Sequence, residues 1–228
     1  MEKAGSGQYL IGGVRDSKAG VDIECLSPLS NDLNLYQSAL ARSNSIKDYD
    51  ADENLISVVL RLRYAGNSIL LSSDAPKKAW PAIWKKARKK QEPFSAEVVK
   101  VSHHGSASGH HNGIWVHTLS AKGTHGAISS GVRYGHPHAE VIHDLHGLGV
   151  QLHCTNYPEI CQKNRYIDMS KFRGLSSAQR LGLLMLDKSS NRPSSPCNGD
   201  ILFELGPDGT YRVQNQYDNF CPFHLVAA

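Results

Sequence analysis

Apolar residues along this chain fall into short dense runs, separated by polar stretches rich in glycine and serine. "VDIECLSPL" (21–29) alternates and then meets a proline, which predicts a strand. "LISVVLRLRYAGNSILLSSDA" predicts two strands, 55–64 and 68–73, joined by the turn "AGN". The second is apolar throughout, as expected of a strand covered on both faces. "AEVVKVS" (96–102), "HGAISSG" (125–131) and "VQLHCT" (150–155) predict three more strands. Helix-prone segments lie around them: "LNLYQSALARS" (33–43), the basic "KKAWPAIWKKARKK" (77–90), "NGIWVHTLSA" (112–121), and "PHAEVIHDLHGLG" (137–149), which stops at glycine. Apolar strands alternating with amphipathic helices specify an α/β layered fold. Residues 1–20 are weakly patterned, and the main domain spans 21–155. Residues 156–195 lose the rhythm and read as an inserted excursion. The closing part, 196–228, carries "DILFELGPDGTYRV", a hairpin around "GPDG" that returns to the same domain.

The chemistry concentrates where predicted strands end. In "VVKVSHHGSASGHH" (98–111), four histidines crowd into nine residues after an apolar run. Paired imidazoles there are poor core material and good metal ligands, suiting zinc, manganese or iron. The plain alternative is a polar turn that contains histidine. His103 and His104 are adjacent, so in an extended strand they point to opposite faces. At most one then ligates a given ion, unless the chain turns there; the other orients a ligand or meets substrate. Asp74 ends the preceding apolar strand, where a carboxylate is costly unless it meets a cation. Its alternative role is to cap a helix that starts near Pro76. His136 precedes Pro137 at a helix start, where anions bind readily; its alternative is a surface histidine. Gly105 permits a sharp exit from the strand. Ser106 is placed to cap the loop or touch phosphate. Ser129 and Ser130 are expected to satisfy backbone groups at a strand end. His110, His111, His117, His125, His138, His143, His146 and His153 are expected to be solvated.

Composition narrows the setting. The chain has 228 residues, 40% of them hydrophobic, enough for one sizeable core. Its formal charge of +4 is compatible with a phosphate-bearing partner without demanding one. The run Lys85, Lys86, Arg88, Lys89, Lys90, interleaved with Trp80 and Trp84, is either a solvated helix face or a track for a nucleic-acid backbone. Five cysteines with no C-x-x-C spacing argue against a disulfide framework or thiolate zinc knuckle, and for free thiols in a reducing compartment. No signal-peptide core and no membrane-length apolar run is visible, so a cytoplasmic chain without membrane contact is expected.

The order of motifs carries a resemblance. "ENLISVVLRLRYAGNSILLSSDA", then "VVKVSHHGSASG", then "AISSGVRYGHPHAEVIHDLHGLGVQLHCT", then "GDILFEL" resembles the second half of a metallo-β-lactamase-fold domain of the ComEC-like branch, found on DNA-uptake channel proteins and free-standing relatives. The matching positions are Asn54 and Ser57, Asp74 with Ala75, His103-His104-Gly105-Ser106, Ser129 or Ser130 with Gly131, and Gly135-His136-Pro137. They cover about 21–155 and 198–214. Two departures stand out. Ser73 replaces the family's glycine before the aspartate, and the family's first motif, H-x-H-x-D-H, does not occur.

The resemblance implies the C-terminal part of an αββα sandwich and a divalent metal, zinc first and manganese second, at Asp74, His103 and His104. It implies a catalytic set of Asp74, His104 and His136, with Ser106, Ser130 and His136 toward substrate. The reaction would be attack of a metal-bound hydroxide on an ester, with phosphodiesters of nucleic acid or nucleotides favoured. The missing motif makes the centre incomplete in this chain. An upstream segment or partner chain carrying that motif, or a homodimer, would then complete the sandwich. The alternative is a non-catalytic half-domain that serves as an interaction or DNA-binding subunit.

Overall fold

The structure, a computed structural model, describes residues 20–42, 53–89, 93–130, 135–155 and 200–215. Strand β1 (Val21–Ser27) and helix α1 (Ser30–Arg42) lead into β2 (Val59–Tyr64) and β3 (Asn67–Leu71). Then follow α2 (Trp80–Lys89), β4 (Val98–Lys100), α3 (Asn112–Thr118), β5 (His125–Ile128), α4 (Ala139–Gly147) and β6 (Gln151–Cys154). The hairpin β7 (Ile201–Leu205) and β8 (Tyr211–Asn215) closes the described chain. The expected strand 55–64 begins only at Val59, because Glu53–Ile56 forms a short 3₁₀ turn. Ala65 and Gly66 (φ 47° and 77°) form the two-residue turn between β2 and β3, where positive φ at both positions matches the strand twist. The excursion at 156–195 and the segment 1–19 lie outside the described residues.

The fold is α/β. Six strands form one sheet in sequence order, antiparallel from β1 to β3 and parallel from β3 to β6. Helices α2, α3 and α4 form one layer and bury Trp80, Ile83 and Ala87; Ile114 and Trp115; and Val141, Ile142 and Leu145. Their apolar stripes meet Val59, Leu70, Val99, Val101, Ile128 and Leu152 in the main core.

Register places Glu24, Arg61, Leu70 and Val99 in one row across that same face. Arg61 and Glu24 are each only 1% exposed and pair at 2.5 Å, and Arg61 Nη1 donates to the Pro93 carbonyl at 2.8 Å. A charge this deep is tolerable only because its partner is equally deep.

The opposite face carries Ile23, Leu62, Ile69, Val98 and His125 in one row, and Cys25, Leu60, Leu71, Lys100, Ala127 and His153 in the next. The β7–β8 hairpin covers the β5–β6 end of it. Phe203 lies 6.2 Å and 6.0 Å from the His125 and His153 rings, and Tyr211 Oη donates to the Lys122 carbonyl. Toward β1 and β2 the cover thins: Leu60, Leu62 and Ile69 are half-buried and Leu71 is 37% exposed. Among the described residues no helix is long and apolar enough to cross a membrane, and Cys25 and Cys154 are free, buried thiols.

The expectation of solvated histidines fails at three positions. His110, His125 and His153 are 8%, 8% and 5% exposed. His125 Nδ1 and His153 Nε2 share one hydrogen bond of 2.9 Å, so two rings on neighbouring strands satisfy each other and offer their apolar bodies to the hairpin. His117 and His143 are exposed, as expected.

Two outcomes follow for stability. Glu24→Gln leaves the Arg61 guanidinium buried beside a neutral group, and urea unfolding is expected to show a loss of about 3–5 kcal/mol. The double change Glu24→Leu with Arg61→Met recovers most of it. Burial also pushes the His125 imidazole down from its ordinary value. The unfolded ring therefore takes a proton first, and stability falls as pH drops below about 6.5 toward the folded value. His125→Asn, whose amide can replace Nδ1, flattens that fall when unfolding is compared at pH about 7.5 and 5.5.

Candidate metal and phosphate site

Parallel strands β3, β4 and β5 end along one edge of the sheet, and the loops that leave them meet there, as sites in open α/β sheets do. The loop after β3 turns through Ser73 (φ 47°). It is laced to the loop after β4: Ser72 Oγ donates to the Lys100 carbonyl, the His103 N–H to the Ser73 carbonyl (3.1 Å), and Ser102 Oγ to the Ala75 carbonyl (2.6 Å).

Beyond Ser102 the chain makes three successive left-handed residues, His103, His104 and Gly105 (φ 48°, 56° and 79°). The strand therefore does turn at the histidine pair. The two rings are 6.4 Å apart, centroid to centroid, in place of the opposed pair that an extended strand would give. Gly105 is required by contact as well as by φ, since a Cβ there would sit 2.5 Å from Pro137 Cβ. Pro137 thus seats the third loop on the second, and the His138 N–H closes it by donating to the Gly105 carbonyl.

His104 is the best-defined donor. Its Nδ1 lies 2.6 Å from the Ser129 carbonyl, which only accepts, so Nδ1 carries the proton. In the neutral ring Nε2 is then a bare lone pair, and it stands 3.7 Å from Asp74 Oδ1. A backbone carbonyl behind the remote nitrogen is the usual way a ligating histidine is oriented. Asp74 does not cap a helix here: the turn before α2 starts at Pro76 with no side-chain cap.

Lys100 Nζ lies 4.0 Å from the same Asp74 oxygen and donates to the Ser73 carbonyl at 3.0 Å. Burial pushes its pKa down, and Asp74 opposes that shift.

His136 sits 5.8 Å from the His103 ring and 4.8 Å from the His138 ring. Burial lowers its pKa, and His138, His103 and His104 push the same way. His138 Nδ1 accepts the Ala107 N–H at 3.1 Å, so this histidine clamps the loop. His103 Nδ1 meets Ser108 Oγ at 3.2 Å, and Ser108 Oγ meets Ser106 Oγ at 3.0 Å. Ser106 is buried and Ser108 is exposed. Ser130 is half-buried, with its N–H on the Ile128 carbonyl. Behind the loop, His110 Nε2 pairs with Asp144 at 3.0 Å, and burial still holds its pKa below the ordinary value.

The structure thus brings Asp74 beside His104, and the His103 ring near those of His104 and His136, while Ser106 is buried and Ser130 half-buried. Imidazole nitrogen and carboxylate oxygen fit a divalent ion in kind. Among the described residues, however, no three His, Cys, Asp or Glu side chains converge closely enough to hold one.

Lys85, Lys86, Arg88 and Lys89 lie in the second half of α2, and Lys90 is outside the described residues. The helix start is fixed at the cleft, where Trp80 Nε1 donates to the Gly109 carbonyl, so these residues run away from it. Trp84 stacks on His117 at 4.3 Å, with the Arg88 guanidinium 5.5 Å over its ring. The exposed lysines at the cleft end are Lys77 and Lys78, in "DAPKK", which sequence reasoning passed over. It also missed Lys100, although a lysine inside the apolar run "VVKVS" signals a charge in need of a partner. Ser129 and His138 act through backbone contacts that no spacing reveals.

In comparisons with protein-family models, curated proteins and solved structures, the chain finds no match.

The turn gives a direct check. Gly105→Ala adds a Cβ where both φ and Pro137 forbid it, and chemical denaturation is expected to show a loss of at least about 1–2 kcal/mol.

Proposed function

We propose that this chain is the metal-binding half of a ComEC-like metallo-β-lactamase-fold hydrolase that acts on phosphodiesters. The observation that carries the reading is His104, with Nδ1–H tied to the Ser129 carbonyl and Nε2 turned toward Asp74. Both side chains are about two-fifths exposed, yet His104 itself and Ser73, just before Asp74, adopt left-handed conformations that cost energy.

Asp74 and His104 would hold a zinc or manganese ion, and His103 would contribute from beside them. Such an ion supplies a Lewis acid that polarises a phosphoryl oxygen and acidifies water. His136, kept neutral by burial and by its imidazole neighbours, stands at the rim to accept a proton from water or return it to the leaving oxygen. Lys77 and Lys78, exposed at the same edge, would attract the phosphodiester backbone of a nucleic acid or nucleotide. The thinly covered face near Leu71 is where an αββα sandwich would receive the rest of its second layer, from an upstream segment, a partner chain or a second copy. The setting that fits free thiols is the cytoplasm.

A second reading, a non-catalytic interaction subunit, draws on the absence of a third converging donor among the described residues. Hydrolysis of bis(p-nitrophenyl) phosphate separates the two. With the missing half supplied by an upstream segment, a partner chain or a second copy, the first reading predicts turnover with Mn²⁺ or Zn²⁺ that chelation abolishes, and a fall of about a hundredfold or more in Asp74→Asn and His104→Gln. Turnover that is absent with either ion, or that survives both substitutions, would favour the interaction subunit.

A further inference from the structure

We infer that the outer side of α2, together with His117 of α3, is a binding surface for single-stranded nucleic acid: Lys85, Arg88 and Lys89 take the phosphates, and the Trp84–His117 stack receives a base. The inference rests on this surface alone and is independent of the metal reading above.

Lys85, Arg88 and Lys89 fall at helical spacings of three and four, so they share one side of α2, and all three are exposed. Neither α2 nor α3 carries an acidic residue that would neutralise them. Trp84 is half-buried and packs against the core. The exposed His117 ring lies along its indole, with centroids 4.3 Å apart and planes 15° from parallel, and the Arg88 guanidinium stands 5.5 Å over the same indole. Two helices thus lay three flat groups against one another beside the cations.

The chemistry separates the anionic partners. A lipid surface needs a free apolar face on the helix, and that of α2, formed by Trp80, Ile83 and Ala87, is buried in the core. An acidic peptide would use the cations and leave the flat stack without a role. A duplex keeps its bases in its own stack. A single strand offers phosphates and free base faces together. A base laid on His117 extends the stack that the imidazole already makes with Trp84, and its flanking phosphates meet Lys85, Arg88 and Lys89.

The experiment titrates the whole chain, in EDTA, into three fluorescent probes: a short oligothymidylate, an abasic phosphodiester strand of the same length, and a polyaspartate peptide. Anisotropy is read over a range of salt. The wild type is expected to bind oligothymidylate about tenfold or more tighter than the abasic strand. Its log affinity should fall with log salt at a slope of about −2, as three phosphate contacts on a single strand require. His117→Ala, at an exposed position, removes the preference for bases and keeps the slope, and His117→Phe keeps both. Lys85→Gln with Lys89→Gln weakens binding of both strands and brings the slope to about −0.7. The wild-type comparison needs no variant to fold. No binding of oligothymidylate, equal binding of the two strands, a base preference that survives His117→Ala, or polyaspartate bound as tightly as oligothymidylate would each overturn the inference. Because EDTA removes divalent ions, none of these outcomes bears on the metal reading, which the hydrolysis assay tests.

Discussion

Two histidines and a glycine in the left-handed region, one after another, set the geometry on which the cleft depends. For a residue with a Cβ that conformation costs about 1–2 kcal/mol, and Ser73 across the cleft adds another such residue. The cost is offset by a lattice of backbone contacts. The Ser106 N–H returns to the His103 carbonyl at 2.8 Å, the His103 N–H reaches Ser73, and Gly105 accepts from His138. Ser72 and Ser102 add hydroxyl bonds to the Lys100 and Ala75 carbonyls. Because these contacts join three loops, the turn cannot relax alone. His103 and His104 are therefore held to one cleft, where an extended strand would send them to opposite sides.

The sheet beneath supplies the rigidity. Its helix-covered face is close-packed, and the Arg61–Glu24 pair ties β1 to β2 inside it. The other face is asymmetric. The hairpin and the His125–His153 pair close it near β5 and β6, while Leu71 on β3 remains 37% exposed. The cleft stands at the end of β3 and β4, between the closed part and the thinly covered part.

Much of the fold could be read from the chain. Runs such as "VVKVS" and "VQLHC", with helical periods between them, specify an α/β sheet because burial enforces periodicity. The start of β2 was misplaced, because "ENLI" is apolar enough to continue a strand and nothing local shows that it coils into a 3₁₀ turn. The buried state of His125 and His153 was missed for a different reason. Each looks like an isolated polar residue in sequence, and only the register of β5 on β6 brings the two nitrogens together. At the cleft, residue types pointed to Asp74, His103, His104 and His136. They could not show that Ser129 fixes the His104 tautomer, since a backbone carbonyl leaves no mark in the sequence. Lys100 did leave a mark, as a charge inside an apolar strand, but its partner became visible only when β3 and β4 were aligned.

His104 turns Nε2 toward Asp74, and under the proposed metal reading that nitrogen is the one that meets an ion. Nitrogen-15 NMR of the imidazoles reads this directly. In its neutral form the His104 ring is predicted to be the Nδ1–H tautomer, with Nε2 the nitrogen whose shift moves when Zn²⁺ is added. An Nε2–H tautomer, or an Nε2 that does not respond to the ion, would contradict the account.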